Sequence, residues 1–102
     1  MRIVVTGATG SLGTALMYRL RDQNHSLLGL GLSEAKLKSL SDEGFEMKRC
    51  DIGDLATLTE YVADCDVVIH CALHHNLPHI QLMLLSLQYR NVSFQILHLI
   101  MI

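Results

Sequence analysis

At 102 residues, half of them hydrophobic and 18% charged, the chain is long enough for one folded domain and too apolar to be disordered. Eight basic residues against ten acidic ones leave a net charge of −2, which supplies no electrostatic footprint for nucleic acid or an anionic membrane. Three cysteines with no C-x-x-C pair, behind a start (Met1-Arg2-Ile3-Val4-Val5) too short for a secretory signal, predict reduced thiols and a cytoplasmic protein.

Ile3-Val4-Val5 is a short β-branched run closed by Thr6-Gly7, the pattern of a buried parallel strand. A helix follows over Ser11 to Arg21, with Leu12, Ala15, Leu16 and Leu20 recurring on one face. Asp22-Gln23-Asn24 is a turn, and His25 to Leu30 a second strand diluted by Gly29 and Gly31. Ser33 is placed to cap the next helix, which carries Glu34, Leu37 and Leu40 and stops near Glu43-Gly44, where Gly44 suits a left-handed end. Phe45 to Cys50 is a third strand and Asp51-Ile52-Gly53-Asp54 a loop. Leu55, Leu58 and Val62 mark a third helix over Asp54 to Ala63, and Cys65 to Cys71 a fourth strand.

Three strand–helix alternations with short connections predict an α/β fold, a parallel sheet covered by helices on both faces. Right-handed crossovers give the order 3-2-1-4, with the switch point between the first and fourth strands. Beyond Leu77-Pro78, His79 to Gln88 reads as a fourth helix and Val92 to Ile102 as a fifth strand. Gln88, Arg90, Asn91, Gln95 and His98 break up this apolar tail, so it holds no run of about 18 apolar residues and predicts no membrane span. Ile96 to Ile102 predicts self-association through an uncovered edge.

The chemistry is concentrated in Thr6-Gly7-Ala8-Thr9-Gly10-Ser11-Leu12-Gly13, between the first strand and the first helix. A glycine at 7 permits the tight turn, one at 10 lets backbone approach a pyrophosphate, and one at 13 lets the helix pack close. Amides at the helix start then face the phosphates. This octapeptide resembles the T-G-x-x-G-x-x-G fingerprint of the short-chain dehydrogenase/reductase superfamily, nearest its extended and atypical branch, the NAD-dependent epimerase/dehydratase family. The resemblance spans residues 1–73, leaves 74–102 as a divergent tail, and includes Asp51-Ile52 after the third strand and Val67-Val68-Ile69-His70-Cys71-Ala72 at the fourth. It implies a single Rossmann-type, doubly wound domain holding NAD or NADP.

By that resemblance the cofactor-binding residues are Gly7, Thr9, Gly10, Ser11, Leu12 and Gly13 in the turn, and Leu32 and Ser33 after the second strand. Asp51 and Ile52 read the adenine, and Cys71 and Ala72 stand against the ribose. His70 packs within the sheet rather than serving as a base. Leu32 occupies the position where a Rossmann site carries an acid for the ribose 2′-hydroxyl or a base for a 2′-phosphate. Lys36 or Lys38 reaches a phosphate only if its helix points it inward, so the choice between NAD and NADP stays open.

His74, His75 and His79 have no acid after Asp66 to support a metal site, so no metal is expected. The family's Tyr-x-x-x-Lys pair is absent: Tyr18, Tyr61 and Tyr89 are followed four residues on by Asp22, Cys65 and Ser93, and no lysine follows Lys48. No catalytic residue is assigned. The abrupt change to an aliphatic tail suggests a truncated or frame-disrupted product, the N-terminal fragment of an NAD(P)-dependent epimerase/dehydratase or dehydrogenase. The competing reading is a non-catalytic dinucleotide-binding or redox-sensing module that works through a partner.

Overall fold

The computed structural model describes residues 2–71. Strands β1 (Arg2–Thr6), β2 (Ser26–Gly31), β3 (Glu46–Arg49) and β4 (Val67–His70) alternate with helices α1 (Ser11–Arg21), α2 (Glu34–Asp42) and α3 (Leu55–Val62). All neighbouring strands are parallel and the order is β3-β2-β1-β4, as the alternation predicts. The predicted fourth helix, fifth strand and associating tail lie outside the described residues, as do Ala72, His74, His75 and His79.

Period-two burial along the strands divides the core between two faces. Val4, Leu28, Leu30 and Val68 meet Leu58 and Val62 of α3 on one face. Ile3, Val5, Leu27 and Ile69 meet Met17 of α1, Leu40 of α2 and Phe45 on the other. The stripe expected on α1 needs one correction. Ala15 is exposed, and the buried residues are Gly13 and Met17, flanked by half-buried Leu16 and Leu20. The shift follows from packing. Gly13 settles on the glycine loop, and four residues on Met17 fills space that a Cβ on Gly29 would occupy, 2.8 Å from the Met17 methyl. Gly29 therefore serves the packing of the strand it was expected to weaken.

Helix ends follow local chemistry. The Ser33 side chain accepts from the Lys36 amide at 3.4 Å, and Asp54 accepts from the Thr57 amide at 3.3 Å. At the far end of α2, Gly44 takes φ +95°. Its amide donates to Ser41 O at 3.0 Å while that of Phe45 donates to Leu40 O at 3.1 Å. This paired closure brings Phe45 back over Leu40 in the core.

Arg2 organises the edge of the sheet where the strands begin. Its amide donates to Asp66 Oδ2 at 2.8 Å and its guanidinium to Ser26 Oγ and Glu46 Oε2, both at 3.0 Å. At the opposite edge, each strand exit is bonded to its neighbour. Ala8 N donates to Leu30 O at 2.9 Å, Cys50 N to Gly31 O at 3.0 Å, and Cys71 N to Thr6 O at 3.1 Å. The four exits thus end level, forming the rim on which a ligand of a parallel sheet sits.

Candidate functional site

The glycine turn lies on that rim. Gly7 takes φ +67°, a left-handed conformation that a Cβ disfavours. Gly10 N then donates to Gly7 O at 3.0 Å, and Thr14 Oγ1 reaches back to Ala8 O at 2.8 Å, holding the turn against the first turn of α1. A Cβ on Gly13 would stand 2.7 Å from the Gly7 carbonyl carbon and 2.8 Å from Ala8 Cα, so this glycine is demanded by packing.

Gly10 is different. Its φ of −79° and ψ of 170° suit any residue, it is exposed, and an added Cβ would meet only Gly7 O, at 3.4 Å. Neither backbone nor packing requires glycine there; the space it leaves faces outward. α1 also begins without a capping side chain or an acid in its first turn, whereas α2 and α3 are capped by Ser33 and Asp54. The free amides of its first turn, with the positive end of the helix dipole, are open to an anion. The turn therefore fits a pyrophosphate both sterically and electrostatically.

A cavity of about 340 Å³ opens beside it, between α1 and α2. Thr9, Gly10 and Ser11 form its mouth, Thr14 and Tyr18 one wall, and Lys36 and Ser39 the other. Arg21 covers the rings of Tyr18 and Phe45, with centroid distances of 5.1 and 4.4 Å, and bonds Glu43 O at 3.0 Å, which ties α1 to the end of α2. Of the two lysines left open by the sequence, Lys36 lines this cavity; Lys38 is exposed elsewhere on α2. Thr14 and Ser39 were not singled out by sequence reasoning, and Tyr18 only as a tyrosine without its lysine. Their signal is helical spacing alone, visible only once the α1–α2 pairing is known.

The other expected residues lie along the rim rather than in the cavity. Leu32, just past β2, is 51% exposed. Asp51 follows β3, exposed, with Oδ1 accepting from Gly53 N at 2.9 Å, while Ile52 turns inward among the α3-side core. Leu12 is half-buried on α1, and Cys71 is half-buried at the exit of β4. His70 is buried, its Nδ1 2.6 Å from Thr6 Oγ1, which links β4 to β1 within the sheet as expected. Burial pushes the thiols of Cys50, Cys65 and Cys71 up, that of Cys65 to about 11, so at neutral pH they are protonated and weakly nucleophilic. Among the described residues, no group of three metal-ligating side chains occurs, and no helix is long and apolar enough to cross a membrane.

The model of the NAD dependent epimerase/dehydratase family matches residues 3–92, a span that takes in the glycine turn and every strand just described. The chain belongs to this family. Its curated relatives include an uncharacterized protein of Schizosaccharomyces pombe, 40% identical over 76 residues, or 74% of this chain and 26% of that protein. Another is the decarboxylating sterol-4-alpha-carboxylate 3-dehydrogenase of Dictyostelium discoideum, 34% identical over 70 residues, or 69% of this chain and 21% of that protein. Among solved structures, AtPrR2 with NADP+ and (+)pinoresinol superposes with a TM-score of 0.70 at 27% identity, over 91% of this chain and 35% of that one. The chain thus spans about a quarter of the length of the first of these relatives. The α/β architecture, the strand order and the dinucleotide-binding family all agree with the reading of the sequence.

Proposed function

We propose that this chain binds a nicotinamide dinucleotide with its pyrophosphate over the Gly7–Gly13 turn, as the cofactor-binding part of an NAD(P)-dependent epimerase, dehydratase or dehydrogenase. Gly10 carries this reading: it stands exposed and uncrowded at the start of α1, where the missing Cβ leaves the backbone open to a pyrophosphate. Ser11 and Leu12 contribute amides to the phosphates, and Gly13 holds the helix that aims them. Asp51 and Ile52 receive the adenine at one end of the rim. Leu32 and Ser33 flank its ribose, and Cys71 borders the nicotinamide side. When bound, the cofactor supplies hydride exchange; the residues here bind and orient. AtPrR2, with its NADP+, supports the assignment by likeness.

The experiment is calorimetric titration of NAD+ and NADP+ into the wild-type chain and Gly10→Val. The valine variant should remain folded and lose affinity for both. Equal affinities in the two proteins would sink the proposal.

A further inference from the structure

Among the described residues, the cavity between α1 and α2 has one charged residue in its lining, and that residue is a cation, Lys36. The same lining includes the hydroxyl-bearing residues Thr9, Ser11, Thr14 and Ser39. A Rossmann site selects between its two dinucleotides where the second strand ends: an acid accepts from a free ribose 2′-hydroxyl, and a base accommodates a 2′-phosphate. Here β2 is followed by Leu32, which neither accepts from a hydroxyl nor repels a phosphate. The nearest acid in sequence, Glu34, lies outside the cavity lining, 4.0 Å from the Arg49 guanidinium. Arg49 is itself paired in register with Gly31 at the end of β2, and its guanidinium offsets the Glu34 charge there.

We infer that this site prefers the 2′-phosphorylated dinucleotide, NADP(H), over NAD(H), and that Lys36 is the residue that selects it. The inference rests on the cofactor reading above and deepens it. Ser33 assists by geometry: its side chain accepts from the Lys36 amide and so fixes the first turn of α2, which carries Lys36. Lysine acts here as a mobile point charge rather than a planar fork. The preference is therefore electrostatic in origin and falls as salt is added.

The test is calorimetry on the full 102-residue chain with four probes: NADP+, NAD+, 2′,5′-ADP and 5′-AMP. The 2′-phosphate should raise affinity about tenfold at low salt, in both the dinucleotide and the mononucleotide pair, as one charge-assisted hydrogen bond allows. Lys36→Ala should bring each pair to parity while leaving NAD+ affinity and the circular-dichroism spectrum unchanged. Leu32→Asp should reverse the preference. Equal affinities in the wild type, or a phosphate preference that survives Lys36→Ala, would overturn the inference while the cofactor reading stands. Failure of all four probes to bind would overturn the cofactor reading itself, and this inference with it.

Discussion

Gly13 lies so close over Gly7 that a Cβ on it would stand 2.7 Å from the Gly7 carbonyl carbon, whereas a Cβ on Gly10 would come no nearer to that peptide than 3.4 Å from its oxygen. The two glycines of one motif should therefore fail differently. Gly13→Ala forces backbone apart and should cost about 2–4 kcal/mol of stability despite the better helix former. Gly10→Ala should cost about 1 kcal/mol or less, as a change at an N-cap, yet weaken dinucleotide binding. Thermal melts paired with titrations separate the two. A Gly10 variant that unfolds, or a Gly13 variant that does not, would contradict the division.

Asp51 has two oxygens to account for, and Oδ1 already accepts from Gly53 N at 2.9 Å. Asp51→Asn keeps an acceptor for that loop bond while exchanging the other oxygen for an amide donor. If Asp51 accepts from the adenine amino group, binding of AMP should weaken by about 1–3 kcal/mol, the range for a hydrogen bond to a charged group. Binding of nicotinamide mononucleotide should be unaffected. An unchanged AMP titration would detach Asp51 from adenine.

Cys65 sets an alkaline limit on stability. Burial raises its thiol to about 11 from the ordinary 9.0. Below pH 9.0 both folded and unfolded thiols are neutral, and the contribution is fully present. Above that value the unfolded chain ionises first, so stability falls until the pH passes the folded value of about 11. Denaturant titrations across this window should show a steeper decline for wild type than for Cys65→Ala. A thiol reagent at pH 8 should label Cys65 only as the protein unfolds.

Asp54 has the opposite sign. Its hydrogen bonds from Thr57 hold its carboxyl below the ordinary 3.8. Its contribution is present above that value and fades as pH drops through the lower folded value. Asp54→Asn keeps an acceptor for the Thr57 amide but cannot titrate. Its melting temperature should depend less on pH in the acid range than that of wild type, and equal slopes would show that the cap bond does not couple to the proton.

Hydride exchange with an alcohol needs a group to move the hydroxyl proton, help typically worth about 10²–10⁴-fold. Tyr18 sits on α1 beside Lys36's cavity and Tyr61 packs against the α3-side core, and neither has the required lysine four residues on. The 102-residue chain should bind cofactor and leave alcohols, ketones and nucleotide sugars unchanged in an assay of reduced-nicotinamide absorbance. Turnover abolished by His70→Ala would instead make His70 a base.

Period and punctuation made most of this fold legible. β-branched runs located β1 and β4, Ser33 announced α2, and Gly44 announced its end. Strand order followed from handedness alone. The buried face of α1 was misread because its anchor is Gly13, a residue without side chain, so a search for apolar side chains slid the stripe onto Ala15. The glycine turn was legible as a motif, but only the structure separates Gly10, which nothing in the protein demands, from Gly13, which packing demands. Lys36 and Lys38 differ by two positions, and sequence alone could not tell which one the pairing of α1 with α2 would turn to the cavity.

The bonds made by Arg2 join residues 24, 44 and 64 positions away, one for each strand that follows β1. None of the three can close before its own strand–helix unit has come back to the first strand, and the last waits for nearly the whole described chain. Such separations place the clamp among the late, high-contact-order events, where loop-closure entropy is spent before any contact is made. Loss of the Arg2 side chain removes the two guanidinium bonds, to Ser26 and Glu46, keeps the amide bond to Asp66, and would then leave the folding rate almost untouched and speed unfolding. A single residue one step from the start of the sequence thus sets how long the assembled sheet lasts rather than how fast it forms.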